Sequence, residues 1–458
     1  MGKKVLLLHC PGDKVYLHDY YTSYSSKANY YWSPSDLIIL SGILREYNLL
    51  VVDAIAEKLS IEECERRILD FKPEAIVFTT GTATFENDIT FVKNLRNKIS
   101  SLIIASSSIF QFEGEYFLKS YPIIDALILD IINSEIADFI EGKEKEYLTI
   151  DYRKRNNLYV SSGFRREQNF HLPIPRHELF KFWLNRSPLA KRTPLAIVIT
   201  SLGCPFNCKF CVAGSINYQY RNIDSVIQEL KYLQSMGVKE ILFTDPTFTV
   251  SKKRTSELCQ KIIDNHLDFT WTCNAHVTNI SEELLLNMTK AGCHTLMIGV
   301  ESGTDKILEI CSKKTTKEKI RNAFKICKKY KVKTLAYFII GLPGETKESI
   351  LDTISFAKEL DCDFASFTVM TPDIGSKLRQ EAIEKGLLSP EIRTFDSSSL
   401  PVFSSGELTE NEIWKLRQKA VRSFYLRPCY LIKKIKSIHS FKELTFLCEQ
   451  ALAMFSKK

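Results

Sequence analysis

Short apolar runs alternate with amphipathic helical segments twice along this chain, and no other feature restricts its fold as much. Parallel strands need a crossover of a dozen or more residues, usually a helix. The alternation therefore implies parallel sheets clad in helices. The first series occupies residues 1–145, with strands at Val5–Leu8, Leu49–Val52, Ala75–Phe78, Leu102–Ala105 and Ala126–Leu129. Ser33 reads as an N-cap with Pro34 at the first helical position, opening a helix to about Tyr47. Ser60 and Glu63 form a capping box ahead of a helix ending near Phe71, and Glu86–Lys98 supplies another helix. The product is an α/β unit with a doubly wound, Rossmann-like parallel sheet. Such sheets bind ligands at the carboxyl ends of their strands, here the loops around Thr79–Thr84 and Ser106–Ser108.

Residues 146–193 break the rhythm and read as a linker. Tyr147–Arg153 and Leu158–Ser161 flank Asn156-Asn157 as a hairpin, and Leu172-Pro173-Ile174-Pro175 is stiff and extended. The second series spans residues 194–388. Its strands are Leu195–Thr200, Glu240–Phe243, Phe269–Cys273, Thr295–Val300, Thr334–Ile340 and Phe364–Val369. The helices between them are Ser225–Met236, Lys253–Ile263, Glu282–Ala291, Lys317–Tyr330 and Lys347–Leu360. Six β/α units without closure imply a partial (β/α)6 TIM-type barrel, with function on the loops that follow the strands. Residues 389–458 form a loop and then, from Thr409, a helical basic C-terminal region.

Composition acts mainly by exclusion. With 458 residues, 45% hydrophobic and 25% charged, the chain is globular. No apolar run approaches the roughly 20 residues that span a bilayer. Pro11-Gly12-Asp13 cuts Val5–Cys10 too short for a leader, and Leu6 stands where a myristoylation signal needs Ser or Thr. A cytoplasmic protein is expected. Most of the 13 cysteines sit singly in apolar runs, as buried reduced thiols do. The net charge is 62 − 54 = +8, and residues 411–458 hold 11 Lys/Arg against 3 Asp/Glu, so the whole excess lies there. Such a tail suits a solvated helix face, or contact with anionic lipid, acidic substrate or nucleic acid. Nothing resembles a base-stacking module, so no nucleic-acid partner is expected.

The exceptional cysteines are Cys204, Cys208 and Cys211, spaced C-x3-C-x2-C on a Gly/Pro/Asn-bearing loop after the first barrel strand. Three thiolates on one loop can grip three irons of a cubane or three positions of a zinc ion. A structural zinc wants a fourth ligand, and Cys259, Cys273, Cys293 and His276 lie in or beside other elements. Three ligands leave one iron open, as an iron that binds substrate requires.

With Phe210 just before its last cysteine, this motif resembles that of radical S-adenosylmethionine (SAM) enzymes. Three further stretches at strand ends share the likeness: Phe243-Thr244-Asp245-Pro246-Thr247-Phe248, Gly299-Val300-Glu301-Ser302-Gly303 and Gly341-Leu342-Pro343-Gly344-Glu345-Thr346. With the doubly wound N-terminal unit and Phe424-Tyr425-Leu426-Arg427-Pro428, the chain resembles the cobalamin-binding subgroup. The resemblance implies a 4Fe-4S cluster on Cys204, Cys208 and Cys211 whose open iron chelates SAM. One electron, from a donor such as flavodoxin or ferredoxin, then releases a 5′-deoxyadenosyl radical that abstracts hydrogen from substrate. It also implies roles: Phe210 near the adenine, Asp245 and Thr247 flanking the methionine amino group, and Glu301 on the ribose or amino group. Gly341 would let the adenine approach the fifth strand.

Two departures from the subgroup stand out. His276 occupies the place where relatives carry Arg, so it is expected to meet a carboxylate or donate a proton near neutral pH, unless it is a satisfied core histidine; Arg221 is the fallback anion partner. In the N-terminal unit, Ser106-Ser107-Ser108 and Leu129-Asp130-Ile131-Ile132 replace paired glycines and a Gly-Glu pair, and no D-x-H-x-x-G occurs. Histidine ligation of cobalt is therefore not expected. Thr79, Thr80, Gly81, Thr82, Ser106 and Ser108 are expected to line a slot for the nucleotide tail of cobalamin, unless the unit is vestigial. The implied reaction is cobalamin-dependent methyl transfer to an unactivated carbon of a small-molecule, lipid or peptide substrate. The alternatives are a radical rearrangement, cyclisation or oxidation without cobalamin, a non-catalytic iron–sulfur carrier or sensor, and a zinc-stabilised binding module.

Overall fold

The computed structural model describes residues 2–155, 157–163, 167–402 and 404–436. Its first nine strands are β1 (Lys4–His9), β2 (Tyr16–Asp19), β3 (Thr22–Ser25), β4 (Asn48–Asp53), β5 (Ala75–Thr79), β6 (Leu102–Ser106), β7 (Ala126–Ile128), β8 (Ile150–Lys154) and β9 (Asn157–Tyr159). The helices among them are α1 (Ser35–Ile43), α2 (Ala54–Glu57), α3 (Ile61–Phe71), α4 (Phe85–Arg96), α5 (Phe110–Ser120) and α6 (Glu135–Ile140). The sheet runs β4-β1-β5-β6-β7-β8-β9, parallel through β7. Its order reverses between β1 and β5, which is the switch point where doubly wound sheets bind ligands.

Successive residues of β1 go to opposite faces, as a strand's period of two requires. Val5 and Leu7 pack under α1 and α6, while Leu6 and Leu8 pack under α3, α4 and α5. Helices on both faces explain why β1, β5 and β6 are apolar throughout. The hairpin of residues 147–161 forms as β8 and β9, and β8 pairs antiparallel with β7, so this part of the linker is the edge of the N-terminal sheet. Helix α1 is shorter than expected. Pro34 itself occupies the cap position and Ser33 turns to Asn185 Oδ1, leaving no side-chain cap.

The rest of the chain adds β10 (Asn169–Phe170), β11 (Leu195–Val198), β12 (Ser201–Leu202), β13 (Gln219–Arg221), β14 (Glu240–Phe243), β15 (Thr270–Ala275), β16 (Cys293–Glu301), β17 (Lys333–Ile340) and β18 (Phe364–Val369). Its helices are α7 (Ile223–Ser235), α8 (Lys252–Asp264), α9 (Glu282–Lys290), α10 (Asp305–Ile310), α11 (Lys317–Lys329), α12 (Lys347–Glu359), α13 (Lys377–Glu384), α14 (Glu410–Tyr425) and α15 (Pro428–Lys436). Strands β11-β14-β15-β16-β17-β18 lie side by side in chain order, all parallel, and β11 and β18 do not pair. This is the expected partial barrel. Ala336, Phe338 and Ile340 of β17 face the helix layer, whereas Leu335, Tyr337 and Ile339 face the interior. Helix α14 closes over β18, with Arg417 Nε donating to the Phe367 carbonyl at 3.2 Å. No helix of the described residues is long and apolar enough to cross a membrane.

Candidate functional site

The interior ends of the barrel strands and the N-terminal hairpin region enclose a cavity of about 510 Å3. Its barrel side carries Cys204, Cys208, Phe210, Cys211, Thr247, His276, Glu301 and Lys313; its other wall includes Asp19, Tyr24, Lys27, Tyr30 and Trp32. The chemistry-bearing groups sit at one end, and the barrel walls leading away from them are mostly apolar, among them Leu335, Phe364 and Val421.

Several contacts fix the cysteine loop. The Lys209 N–H donates to the Cys311 carbonyl at 3.0 Å, and the Leu378 N–H donates to the Lys209 carbonyl at 2.8 Å. Lys209 Nζ lies 2.7 Å from Glu381 Oε1. Phe206 stacks on His276 with centroids 3.8 Å apart, and Phe210 packs against Cys311, Leu342 and Met370. Burial, reinforced by the neighbouring Cys208 and Cys204, pushes the Cys211 thiol up to about 12. The three thiols thus share one electrostatic environment. Among the described residues, no three His, Cys, Asp or Glu side chains come close enough to hold a single metal ion. Thiolates on a cubane bind different irons and stand further apart than ligands of one zinc, so the trio fits a cluster better than a knuckle. The other cysteines considered as zinc ligands, Cys259, Cys273 and Cys293, are in the helix-side core.

Beside the cysteines lies an ion pair that sequence reasoning missed. Glu301 Oε1 is 2.7 Å from Lys313 Nζ, and both residues are buried. Burial works against the charge on Lys313, but Glu301 and then Cys208 outweigh it and raise the pKa. Glu301 sits at φ +67° where the β16–β17 register shifts, which turns its carboxylate inward. A Cβ on Gly299 would lie 2.2 Å from Glu301 Oε1 and 2.6 Å from Lys313 Nζ, so only glycine leaves room for the pair. Gly299 was legible as part of a motif, whereas Lys313 looked like any of its lysine neighbours.

Other expectations need correction. Asp245 does not line the cavity. Its Oδ1 accepts from the Thr200 N–H at 2.7 Å, and its Oδ2 accepts from the Thr200 and Ser201 hydroxyls, each at 2.6 Å. It tethers the approach to the cysteine loop. Thr247 does reach the cavity, with Oγ1 3.5 Å from Cys204 Sγ. His276 Nδ1 lies 2.8 Å from Thr278 Oγ1, and burial and then Lys313 push its pKa down to about 3, so the ring is neutral at neutral pH. Arg221 is fully buried, bound to Glu229 and the Ile199 carbonyl, so it cannot serve as an anion partner. Gly341 stands at φ +91° with its Cβ position against Ile413 of α14, outside the cavity lining, so its own geometry answers to the turn and to α14. Glu345 locks that turn, accepting from the N–H groups of Gly341 and Leu342 at 2.8 and 3.0 Å.

The N-terminal strand ends are arranged differently. Thr79, Thr80, Thr82, Ser106 and Ser108 are all buried and are not among the residues lining the cavity. Ser106 and Thr79 sit beside the buried Asp36, and Thr84 and Thr80 beside the buried Asp88. The β2–β3 hairpin packs on the neighbouring loop of residues 81–83. Ser23 Oγ accepts from the Ala83 N–H at 2.9 Å and occupies the position that a Cβ on Gly81 would take. The hairpin is latched from outside, where Ser25 N–H donates to Asp396 at 3.3 Å and the Phe395 N–H donates to the Thr82 carbonyl at 3.0 Å. At these strand ends the Ser108 hydroxyl is buried with no hydrogen-bond partner among the described residues, so a polar group is left to meet the nucleotide tail of cobalamin.

The sequence profile of the radical SAM superfamily matches residues 198–357. An uncharacterized methyltransferase of Pyrococcus horikoshii is 33% identical over 421 residues, 89% of this chain and 91% of that protein. An anaerobic magnesium-protoporphyrin IX monomethyl ester cyclase of Rubrivivax gelatinosus is 23% identical over 440 residues, 91% of this chain and 78% of that protein. Among solved structures, the radical SAM methyltransferase TsrM of Kitasatospora setae, with cobalamin and a [4Fe-4S] cluster bound, matches with TM-score 0.67 at 16% identity, covering 94% of this chain and 90% of that one. The cobalamin-dependent SAM radical enzyme OxsB, with aqua-cobalamin and SAM bound, matches with TM-score 0.70 at 14% identity, covering 99% and 72%. At these identities the two structures establish the fold.

Proposed function

Since the chain belongs to the radical SAM superfamily and is an enzyme with the fold of that superfamily's cobalamin-dependent members, we propose that it transfers a methyl group to an unactivated carbon of an apolar substrate. The observation that carries the radical part is the placing of Cys204, Cys208 and Cys211 beside the buried Glu301–Lys313 pair at one end of a cavity with apolar walls. Methyl transfer is supported by the methyltransferase with which the chain shares 33% identity.

When bound, a 4Fe-4S cluster on the three thiolates supplies the electron that cleaves SAM to a carbon radical. The chain's own residues hold and shield the reactants. Lys313 Nζ offers a buried cation to the methionine carboxylate, and Glu301 accepts from ribose hydroxyls or the amino group, both as charge-assisted bonds. Thr247 lies beside Cys204 for the same end of the ligand, and Phe210 packs the adenine side. His276, neutral and stacked on Phe206, closes the wall without adding charge. The apolar walls from Leu335 to Val421 exclude water from the radical's path and select a carbon-rich partner. A one-electron donor such as flavodoxin or ferredoxin and a cytoplasmic setting go with this reading.

The β2–β3 hairpin packed on the loop of residues 81–83 favours a second reading, a rearrangement, cyclisation or oxidation without cobalamin. One experiment separates the two readings. The full chain is reconstituted anaerobically with iron, sulfide and hydroxocobalamin, desalted, and analysed by absorption and metal content. It is then turned over with methyl-labelled SAM. Methyl transfer predicts corrinoid retained after prolonged incubation and S-adenosylhomocysteine alongside 5′-deoxyadenosine. 5′-Deoxyadenosine alone, with no corrinoid retained, would replace methyl transfer by the second reading.

A further inference from the structure

Helix α15 exposes an apolar face on an otherwise basic segment. Leu431, Ile432 and Ile435 are 43%, 54% and 67% exposed, and Leu426 one turn before the helix is 53% exposed. No other element of the described residues presents three large exposed apolar side chains. At about 100° per residue, Leu431, Ile435 and Ile432 fall on one side of the helix, with Lys436 at the edge of that arc, while Lys433 falls on the far side near Asp361 and Asp363. The opposite side is anchored. Tyr430 is buried with its hydroxyl donating to the Asp363 carbonyl at 3.1 Å, and Lys434 Nζ lies 4.0 Å over the Phe364 ring. The helix is therefore held by its back, with its apolar face outward.

Charge favours one kind of partner. The chain's whole formal excess of +8 lies in residues 411–458. The acidic groups facing α15 are Asp361 and Asp363, which Lys433 approaches only at 4.0 and 3.8 Å. An apolar arc with Lys436 at its edge, on a segment that carries the chain's positive excess, is the pattern of an interfacial helix. Its apolar side enters the headgroup boundary while the lysine stays among lipid phosphates. The position also suits the cavity. Tyr425, Val421 and Arg417 of α14 line it, as does Phe364 beneath Lys434.

We propose that α15 docks the enzyme on an anionic bilayer surface through Leu431, Ile432 and Ile435, with Lys436 on lipid phosphates. The docking is independent of the reaction chemistry; only the delivery of an apolar substrate from the bilayer into the cavity rests on the reading given above.

The test is sedimentation of the full chain with vesicles of phosphatidylcholine alone or with one quarter phosphatidylglycerol. Binding is expected to be at least tenfold tighter on the anionic vesicles and to weaken in high salt. The Leu431→Ser, Ile432→Ser, Ile435→Ser variant should lose binding tenfold or more. Replacing Lys436 by Ala should cost several-fold, since each lysine near an anionic surface adds about 1 kcal/mol. Circular dichroism and 5′-deoxyadenosine formation without vesicles check that each variant is folded, and the latter tests the reaction separately. Equal binding to both vesicle types, or undiminished binding by the triple-serine variant, overturns the proposal. So does a concentration-dependent dimer that the serines abolish without any vesicle binding, which makes the face a contact between copies.

Discussion

The barrel strands β14–β18 look into an open cavity, whereas the loop after β5 carries the chain's own hairpin against Gly81 and Ala83. Both are strand ends of parallel sheets, the place where such folds bind ligands. In the barrel, charged and sulfur-bearing groups are held to the cavity wall by a glycine, a bulge and a pinned loop. In the N-terminal sheet, hydroxyls and carboxylates are buried, and the Ser108 hydroxyl has no hydrogen-bond partner among the described residues. Topology therefore names candidate places, and the loops after the strands decide which of them is open.

The contrast is most severely tested at the cysteines. Changing Cys204, Cys208 or Cys211 singly to Ala should bring SAM cleavage to background while thermal unfolding stays nearly unchanged. Cys327→Ala, in the helix-side core, should cost on the order of 1 kcal/mol of stability and leave iron content intact. A trio variant with normal 5′-deoxyadenosine output would remove the cluster from this loop.

The next effect concerns the buried pair. Glu301→Ala removes charge-assisted bonds worth about 1.5–3 kcal/mol, so SAM affinity by calorimetry should fall roughly tenfold to a hundredfold with cluster content unchanged. Gly299→Ala leaves both charges in the chain but takes the space they share, and it should weaken SAM to a similar degree. If Gly299→Ala binds SAM normally, the pair is not arranged as described.

These two sites also differ in how far the sequence reveals them. The six barrel strands were legible because each apolar run is short, bounded and followed by a helix with 3.6 periodicity, and the cysteines stand out by their spacing, while Glu301 came only with the family resemblance. Lys313 was not legible, since one buried lysine among surface lysines leaves no local signal. Asp245 was legible as a motif residue, but its role was not, because its partners Thr200 and Ser201 come from another strand end. The β2–β3 hairpin escaped notice because Tyr, Ser, Thr and Asp dominate it, and its partners are over 50 residues away at Ala83 and over 300 away at Asp396. Its absence from the sequence reading is what made the N-terminal slot look open.

A smaller effect follows for that slot. Asp396→Ala removes the latch on Ser25, so hydroxocobalamin uptake after reconstitution should quicken several-fold relative to the unaltered chain. Rapid stoichiometric uptake by both proteins would mean that the hairpin does not restrict the slot.

The smallest effect is a pH dependence at the Gly341–Glu345 turn. Burial raises the Glu345 carboxyl from 4.5 to about 8, against the two backbone N–H groups that favour its charge. The native state thus holds a proton that the unfolded chain releases above about 4.5. The stabilisation is complete below that pH and is lost as pH rises through about 8. Glu345→Gln should flatten the melting temperature between pH 5 and pH 8, and an unchanged slope would assign the dependence elsewhere.

The central claim is that the cavity end built from Cys204, Cys208, Cys211, Glu301 and Lys313 is a complete site for SAM cleavage without help from the N-terminal slot. The most direct measurement is 5′-deoxyadenosine formation by the full chain, reconstituted anaerobically with iron and sulfide, reduced with dithionite, and given SAM but no corrinoid. The account predicts 5′-deoxyadenosine in amounts that follow the iron content. Formation that begins only when a corrinoid is added would contradict it.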